Sequence, residues 1–310
     1  MSPEMVAPRA GRVLVLGSAN MDVTVRVDRL PAPGETVLGG SASLHPGGKG
    51  ANQAVAAAIA GADVTMAGSV GNDGYGSAVR AALLRAGADV SRLRSADRAA
   101  TGLGVVLVDQ AGENAIVVSP GANHAIDPSQ VPWMLGDLQS HNLLLMQMEL
   151  PVEVVTRAID LAHAAGVPVM LNLAPAVEIP AESMRRLAVL VVNRSEAGYL
   201  LGSHLHSEED LRRAASALRR RGSAAVVVTA GAEGSVIDGG DGPERVPAIP
   251  VDVVSTAGAG DAFVGYLAAW YAAGEGLRQA VDAATAAAAE AVRMPGAQLS
   301  SRSTSSGGTR

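Results

Sequence analysis

The segment GAGDAF (258–263) sets two glycines and an alanine directly ahead of an acid and an apolar run. Glycine loses more backbone entropy on ordering than any other residue, so this placement needs a reason. Gly258, Ala259 and Gly260 would present several bare amides at the start of a helix opening near Asp261. Such amides form a pocket for an anion such as a transferring phosphoryl group, and a larger side chain there would fill it. Asp261, beside that pocket, could accept a proton from an attacking hydroxyl. A glycine-rich helix start with an acidic cap is the plainer reading of the same residues.

Other polar residues fall where strands should end. In GSANMD (17–22), Asn20 and Asp22 flank one residue, so an extended chain points both the same way, an amide beside a carboxylate suited to vicinal hydroxyls. Asn and Asp also favour plain turns. The string HPGGKGANQ (45–53) is not a P-loop. Ser43 stands where the first glycine would be, and Lys49 is followed by Gly50 rather than Ser or Thr. It still predicts a glycine turn opening a helix, with Gly48 at the turn and Lys49 and Asn52 facing one side; a simple glycine-rich loop is the alternative. Glu149 closes an apolar run ahead of Pro151, either at a ligand-facing sheet edge or as a helix-start charge. Asn193 and Glu196 could help hold hydrated Mg²⁺ and phosphate, or could form a capping box with no ligand. His204 and His206 have no third ligand evident nearby and read as part of a solvated loop.

These residues need a frame. Aliphatic runs at 12–18, 63–69, 142–149, 167–172, 187–193 and 224–229 read as buried strands. Ala-rich segments of helical spacing, such as 50–60, 76–86, 151–165, 208–221 and 261–273, alternate with them. That order predicts an α/β fold with a doubly wound, mainly parallel sheet flanked by helices. Residues 22–45 alternate in polarity, and 101–119 read as a hairpin; both predict a small separate β-sheet whose apolar face a ligand or second subunit must cover. The Ser-rich end, 301–310, reads as a disordered polar tail following one domain over 1–300.

With 310 residues and 48% hydrophobic content a large core is within reach, but only 2% is aromatic, so Ala, Val and Leu must fill it. A net charge of −6 argues against nucleic acid and acidic membranes as partners. The chain has no cysteine, which excludes disulfides and thiol chemistry. No apolar run reaches the length of a membrane span or signal core, so a cytoplasmic protein is expected.

Taken together, GSANMD, PGET (33–36), GGKGANQAVAAA (47–58), MQME (146–149), NLAPA (172–176), NRSEA (193–197), VVVTAGAEG (226–234) and GAGDAF resemble the PfkB family of sugar and nucleoside kinases, and within it the ribokinases. The resemblance runs from about residue 12 to about 300. It implies phosphorylation of D-ribose at O5 by MgATP. Asn20, Asp22, Gly48, Lys49, Asn52 and Glu149 would bind the sugar, Asp261 would be the base, and Gly258 to Gly260 the anion hole. Asn193, Thr229, Ala230, Gly231, Ala232, Glu233, Gly234, Gly260 and Thr285 would hold ATP, with Glu196 organising Mg²⁺. The small sheet would be a lid that closes on the sugar and pairs two subunits into a homodimer. An activating K⁺ would use Ser255, Ala257, Ala291, Met294, Gly296 and Ser300. Ser255 stands where the family usually carries Asp, and losing a carboxylate weakens a cation site. Thr285 replaces a common Asn or His, Leu173 a common Pro, and the Ser-rich tail a C-terminal helix. Another sugar such as 2-deoxyribose or a ketohexose, a nucleoside, or a catalytically silent sugar-binding protein are the alternatives. A dinucleotide oxidoreductase is disfavoured, since GAGDAF lacks the third glycine of that fingerprint.

Overall fold

Alternate residues of each buried strand point to opposite faces of a sheet, and here both faces are covered. In the computed structural model, which describes residues 10–110 and 113–294, Val13 and Val15 pack on one side and Leu14 and Leu16 on the other. The first half of the chain gives β1 (Arg12–Leu16), β2 (Asn20–Arg26), β3 (Ser43–Gly47), α1 (Lys49–Ile59), β4 (Asp63–Gly71), α2 (Gly74–Arg85), β5 (Asp89–Ala96), β6 (Gly102–Val108), β7 (Asn114–Ser119) and α3 (Val131–Leu135). There follow β8 (Leu143–Gln147), α4 (Val152–Ala165), β9 (Val169–Asn172), α5 (Ala181–Arg185), β10 (Val189–Asn193), α6 (Arg194–Leu201) and α7 (Glu208–Arg220). The last elements are β11 (Ala225–Thr229), β12 (Ser235–Asp238), β13 (Pro243–Val246), α8 (Ala259–Ala272) and α9 (Leu277–Ala291).

Among the described residues the main sheet has nine strands in the order β13-β12-β11-β10-β9-β8-β1-β4-β5. It is parallel except for β12 and β13, which pair antiparallel at one edge. Helices α4 and α7 pack on the face that carries Leu14, Leu144 and Val226, whereas α1, α8 and α9 cover the face with Val15, Leu145 and Val227. The sheet is thus doubly wound, as the alternating pattern predicts. From β1 the winding runs one way through β4 and β5, and the other way through β8 to β11. The reversal lies between β1 and β8, and a crevice opens at such a point outside the strands' carboxyl ends.

A second sheet of four strands, in the order β3-β2-β6-β7, stands apart. The hairpin expected at 101–119 is its antiparallel β6–β7 pair. The alternating stretch 22–45 is less regular than its pattern implies. It holds strand only at its two ends, with a lone bridge from Val27 to Gly39 between them. Leu44, Ile116, Val117 and Val118 are exposed on this sheet. The polar tail at 301–310 lies outside the described residues.

Candidate active site

The crevice collects most of the polar residues singled out above. At the end of β1, Ser18 Oγ donates to Glu149 Oε2 at 2.5 Å, and the Lys49 amide donates to the same oxygen at 3.1 Å. Glu149 therefore clamps the carboxyl ends of β1 and β8 to the start of α1. Close backbone approach makes this clamp: a Cβ on Gly50 would lie 2.5 Å from the Ser18 nitrogen. Gly48, the residue before α1, has φ 88°, a left-handed conformation that favours glycine.

Asn20 and Asp22 lie on β2, the strand that leaves the main sheet for the small one. Asn20 Oδ1 accepts from Asn123 Nδ2 at 2.6 Å, and Asn123 Oδ1 accepts from the Ala19 amide at 2.9 Å. The amide of Asn20 is thereby oriented, leaving its Nδ2 as the group available to a ligand. Opposite β2 in register stand Gly102 and Gly104 of β6. A Cβ on Gly102 would fall 2.1 Å from Asn20 Oδ1, and one on Gly104 would fall 2.4 Å from Asp22 Oδ1. Gly47 of β3 hems the same carboxylate, a Cβ there lying 2.0 Å from Asp22 Oδ2. Bare backbone on both flanks thus gives these two side chains room to lie across the strands.

Burial pushes the Asp22 carboxyl up to about 6, helped by the charges of Glu149 and Asp261 and opposed by His45 and Lys49. The folded chain accordingly keeps a proton there that the unfolded chain has released above the ordinary value of 3.8. This contribution to stability is complete below that value and is lost as pH rises through about 6. Replacing Asp22 by Asn should therefore raise the melting temperature, relative to the parent chain, more at pH 7.5 than at pH 5. A difference that is the same at both pH values would count against a buried, proton-holding carboxyl.

Asp261 sits in the first turn of α8, after Gly258 with φ 79°. Its two oxygens are taken by separate amides: Asn52 Nδ2 donates to Oδ2 at 3.1 Å and Gln53 Nε2 to Oδ1 at 2.9 Å. Asn52 Oδ1 is buried with no hydrogen-bond partner, so a polar acceptor beside Asp261 awaits a donor such as a ligand hydroxyl. Behind the first-turn amides of Gly260 and Asp261 there is no helical carbonyl to receive them. The Ala259 amide is directed to Thr256 O at 3.4 Å. A Cβ built on Gly260 meets nothing within 4 Å, so the space before this turn is open.

Burial works against the charge of Lys49, but the carboxylates of Asp261, Glu149, Glu196 and Asp22 outweigh it and hold the ammonium above its ordinary range. Four acids around one lysine make the crevice negative. A polyphosphate entering it would have to bring its own cations.

The nucleotide-side residues gather at the carboxyl ends of β10 and β11, where Asn193 pairs in register with Thr229. The turn Gly231–Glu233 follows and is tied to α6 by Arg194 to Glu233 at 2.5 Å. Asn193 and Glu196 form a reciprocal capping box: the Asn193 amide donates to Glu196 Oε2 at 2.7 Å and the Glu196 amide to Asn193 Oδ1 at 2.8 Å. Burial raises the Glu196 carboxyl, against that backbone bond and Lys49. Thr285 is buried on α9 and donates back to Val281 O at 2.8 Å. Ala291, Met294 and the 254–257 loop come together at the end of α9, where Val292 O accepts from the amides of Val254 and Ser255. Ser255 Oγ accepts from the Ala257 amide at 3.2 Å. Gly296 and Ser300 lie outside the described residues. Sequence reasoning passed over Ser18, Gln53, Asn123, Gln147 and the glycines of β6. Gln147, a lone amide inside an apolar strand, was the legible signal among them.

Comparison with known proteins finds relatives of the whole fold. Residues 10–304 match the profile described as pfkB family carbohydrate kinase. The chain is 36% identical over 298 residues to a Schizosaccharomyces pombe ribokinase, covering 93% of this chain and 94% of that one. It is also 31% identical to a Salmonella typhimurium deoxyribokinase, over 93% of this chain and 94% of the relative. Among solved structures, Arabidopsis thaliana ribokinase complexed with ribose and ATP superposes with a TM-score of 0.85 at 30% identity, over 93% of this chain and 95% of that one. The likeness extends over nearly the whole chain.

Proposed function

The chain belongs to the pfkB family of carbohydrate kinases, and from that membership we propose that it transfers the γ-phosphoryl group of ATP to O5 of D-ribose. The observation that carries this reading is Asp261, held on both oxygens by amides, next to an open glycine turn at a helix start. Phosphoryl transfer asks a protein mainly for alignment and charge stabilisation. O5 would attack the γ-phosphorus as its proton passes to Asp261, while the bond to the ADP oxygen breaks. The amides about Gly258–Gly260 would receive the charge on the migrating group.

The sugar side supports a polyol. Asn20 offers a donor and Asp22 an acceptor two residues along one strand, a match for neighbouring hydroxyls of which one accepts and one donates. Lys49, Glu149 and Asn52 would complete that pocket, and Asn193, Thr229 and Gly231–Gly234 would seat the nucleotide. Mg²⁺, arriving with the triphosphate and approached by Glu196, would neutralise phosphate charge. The acid-rich crevice fits that need, and the described residues hold no group of three or more His, Asp or Glu to grip a metal alone. A K⁺ site at Ser255, Ala257, Ala291 and Met294 would rest on neutral oxygens and bind weakly. The small sheet would act as the lid, and its exposed Ile116, Val117 and Val118 would meet a second subunit in a dimer. No helix among the described residues is long and apolar enough to cross a membrane, and we place the enzyme in the cytoplasm.

The test is to follow ADP release from MgATP with ribose, 2-deoxyribose, fructose or adenosine, each with and without K⁺. Ribose should give the highest kcat/KM, and ATP hydrolysis without sugar should be slow, since the site would be assembled only when the lid closes on the sugar, and that closure keeps water from the γ-phosphate. A higher kcat/KM for deoxyribose would move the assignment to the deoxyribokinase type. Tight sugar binding with no ADP would mean a binding protein.

A further inference from the structure

We propose that Gln53 aims the Asp261 carboxylate and that Gln147 anchors Gln53, a positioning device behind the base that rests on the kinase reading above. Gln53 and Gln147 have no solvent exposure. Gln53 Nε2 donates to Asp261 Oδ1 at 2.9 Å and to Asn172 Oδ1 at 2.9 Å, so both its hydrogens are used. Its Oε1 accepts from Gln147 Nε2 at 2.7 Å. Elements α1, α8, β8 and β9 thus meet in one chain of amides ending on the carboxylate.

The direction of that chain follows from charge. An ionised carboxylate only accepts hydrogen bonds. Gln53 must therefore turn its nitrogen toward Asp261 and its oxygen toward Gln147. Gln147 must then donate, which leaves its own Oε1 facing away. That oxygen is buried without a partner, pressed against Gly17, where a Cβ would lie 2.1 Å from it. A buried acceptor with no donor is unfavourable. An amide serving only to fill the core would be satisfied at both ends; Gln147 leaves an acceptor unpaired while its nitrogen donates to Gln53, which in turn donates to the base and to Asn172. Gly265, one turn beyond Asp261 on α8, secures the approach: a Cβ there would lie 2.6 Å from the Gln53 carbonyl oxygen. The backbone that carries Gln53 is thus packed directly on the helix that carries the base. Neighbouring Asn52 also donates to Asp261, at 3.1 Å, but no partner of its own Oδ1 fixes which way that amide faces.

The test combines crystallography with kinetics on Gln53→Met, which keeps size and removes both donors and the acceptor. The Asp261 side chain should rotate away from its parent position in the variant crystal. With ribose and MgATP, kcat should fall about 10²-fold, the scale of a misplacement of roughly 1 Å, while KM for the sugar stays within about threefold. In an Asp261→Asn background the same change should cost nothing further, because a residue that acts through the base has nothing left to aim. An unmoved Asp261 side chain, or an equal loss in both backgrounds, would overturn the proposal. Should Gln53→Met fail to fold, Gln53→Glu keeps the shape and replaces the donor by an acceptor, and the same two readouts apply. If the parent chain phosphorylates no sugar, the kinase reading fails, and the Asp261 orientation in the variant crystal still decides whether Gln53 sets it.

Discussion

Asp261→Asn should lower kcat by about 10²–10⁴ while sugar affinity changes by less than about tenfold, the signature of losing a general base and not a binding group. The substitution is nearly isosteric, and the surroundings can absorb it. An Asn at this position would offer one oxygen and one nitrogen where the carboxylate offers two acceptors. Gln53, locked by Gln147, must keep donating and so takes the oxygen. The new nitrogen would then face Asn52, whose partnerless Oδ1 can turn round to accept from it. The fold should therefore survive, and unchanged thermal melting would show that it does. Calorimetric titration with ribose and a coupled assay for ADP give the two quantities. Turnover near that of the parent chain would remove Asp261 from the proton transfer.

Gly260→Ala should separate stability from activity. The residue lies in the first turn of α8, and a methyl group there meets no atom within 4 Å outside its own stretch of helix. In a helix, Ala is favoured over Gly by up to about 1 kcal/mol, so the melting temperature should hold or rise. If the open space is the seat of the migrating phosphoryl group, the same methyl intrudes on it. The loss expected is about 10²–10³ in kcat/KM for ATP, comparable to removing one donor from an oxyanion site. A variant that is both more stable and fully active would show that the space before Gly260 is ordinary solvent.

The parallel strands were legible because burial on both faces leaves an unbroken aliphatic run, as in LLLM of β8 and VLVV of β10. The edges were not. Strand β5 carries Arg92 and Arg94 among its apolar residues, and β12 and β13 enclose a Gly- and Asp-rich turn, so neither has the composition of a buried strand. At the site, Asp261, Asn52 and Glu149 could be picked out because they sit in short polar strings at strand and helix ends. Asn123 could not, since it acts by holding Asn20, more than a hundred positions away in sequence. Gln53 stands in the same string as Asn52, yet nothing local distinguishes a residue that touches a ligand from one that braces its neighbour. The glycines of β6 were read as strand residues; their meaning lies in which side chains they face across the register.

The placement of Asn20 and Asp22 on β2 has a mechanical consequence. These two groups ride on the small sheet, whereas Asp261 and the open turn belong to the main body. A sugar held by both sets would act as a strut between the small sheet and the main body, adding to the packing of Met21 and Leu103 on the main core. Under the proposed reaction the substrate is then a component of the reactive state and not merely its cargo.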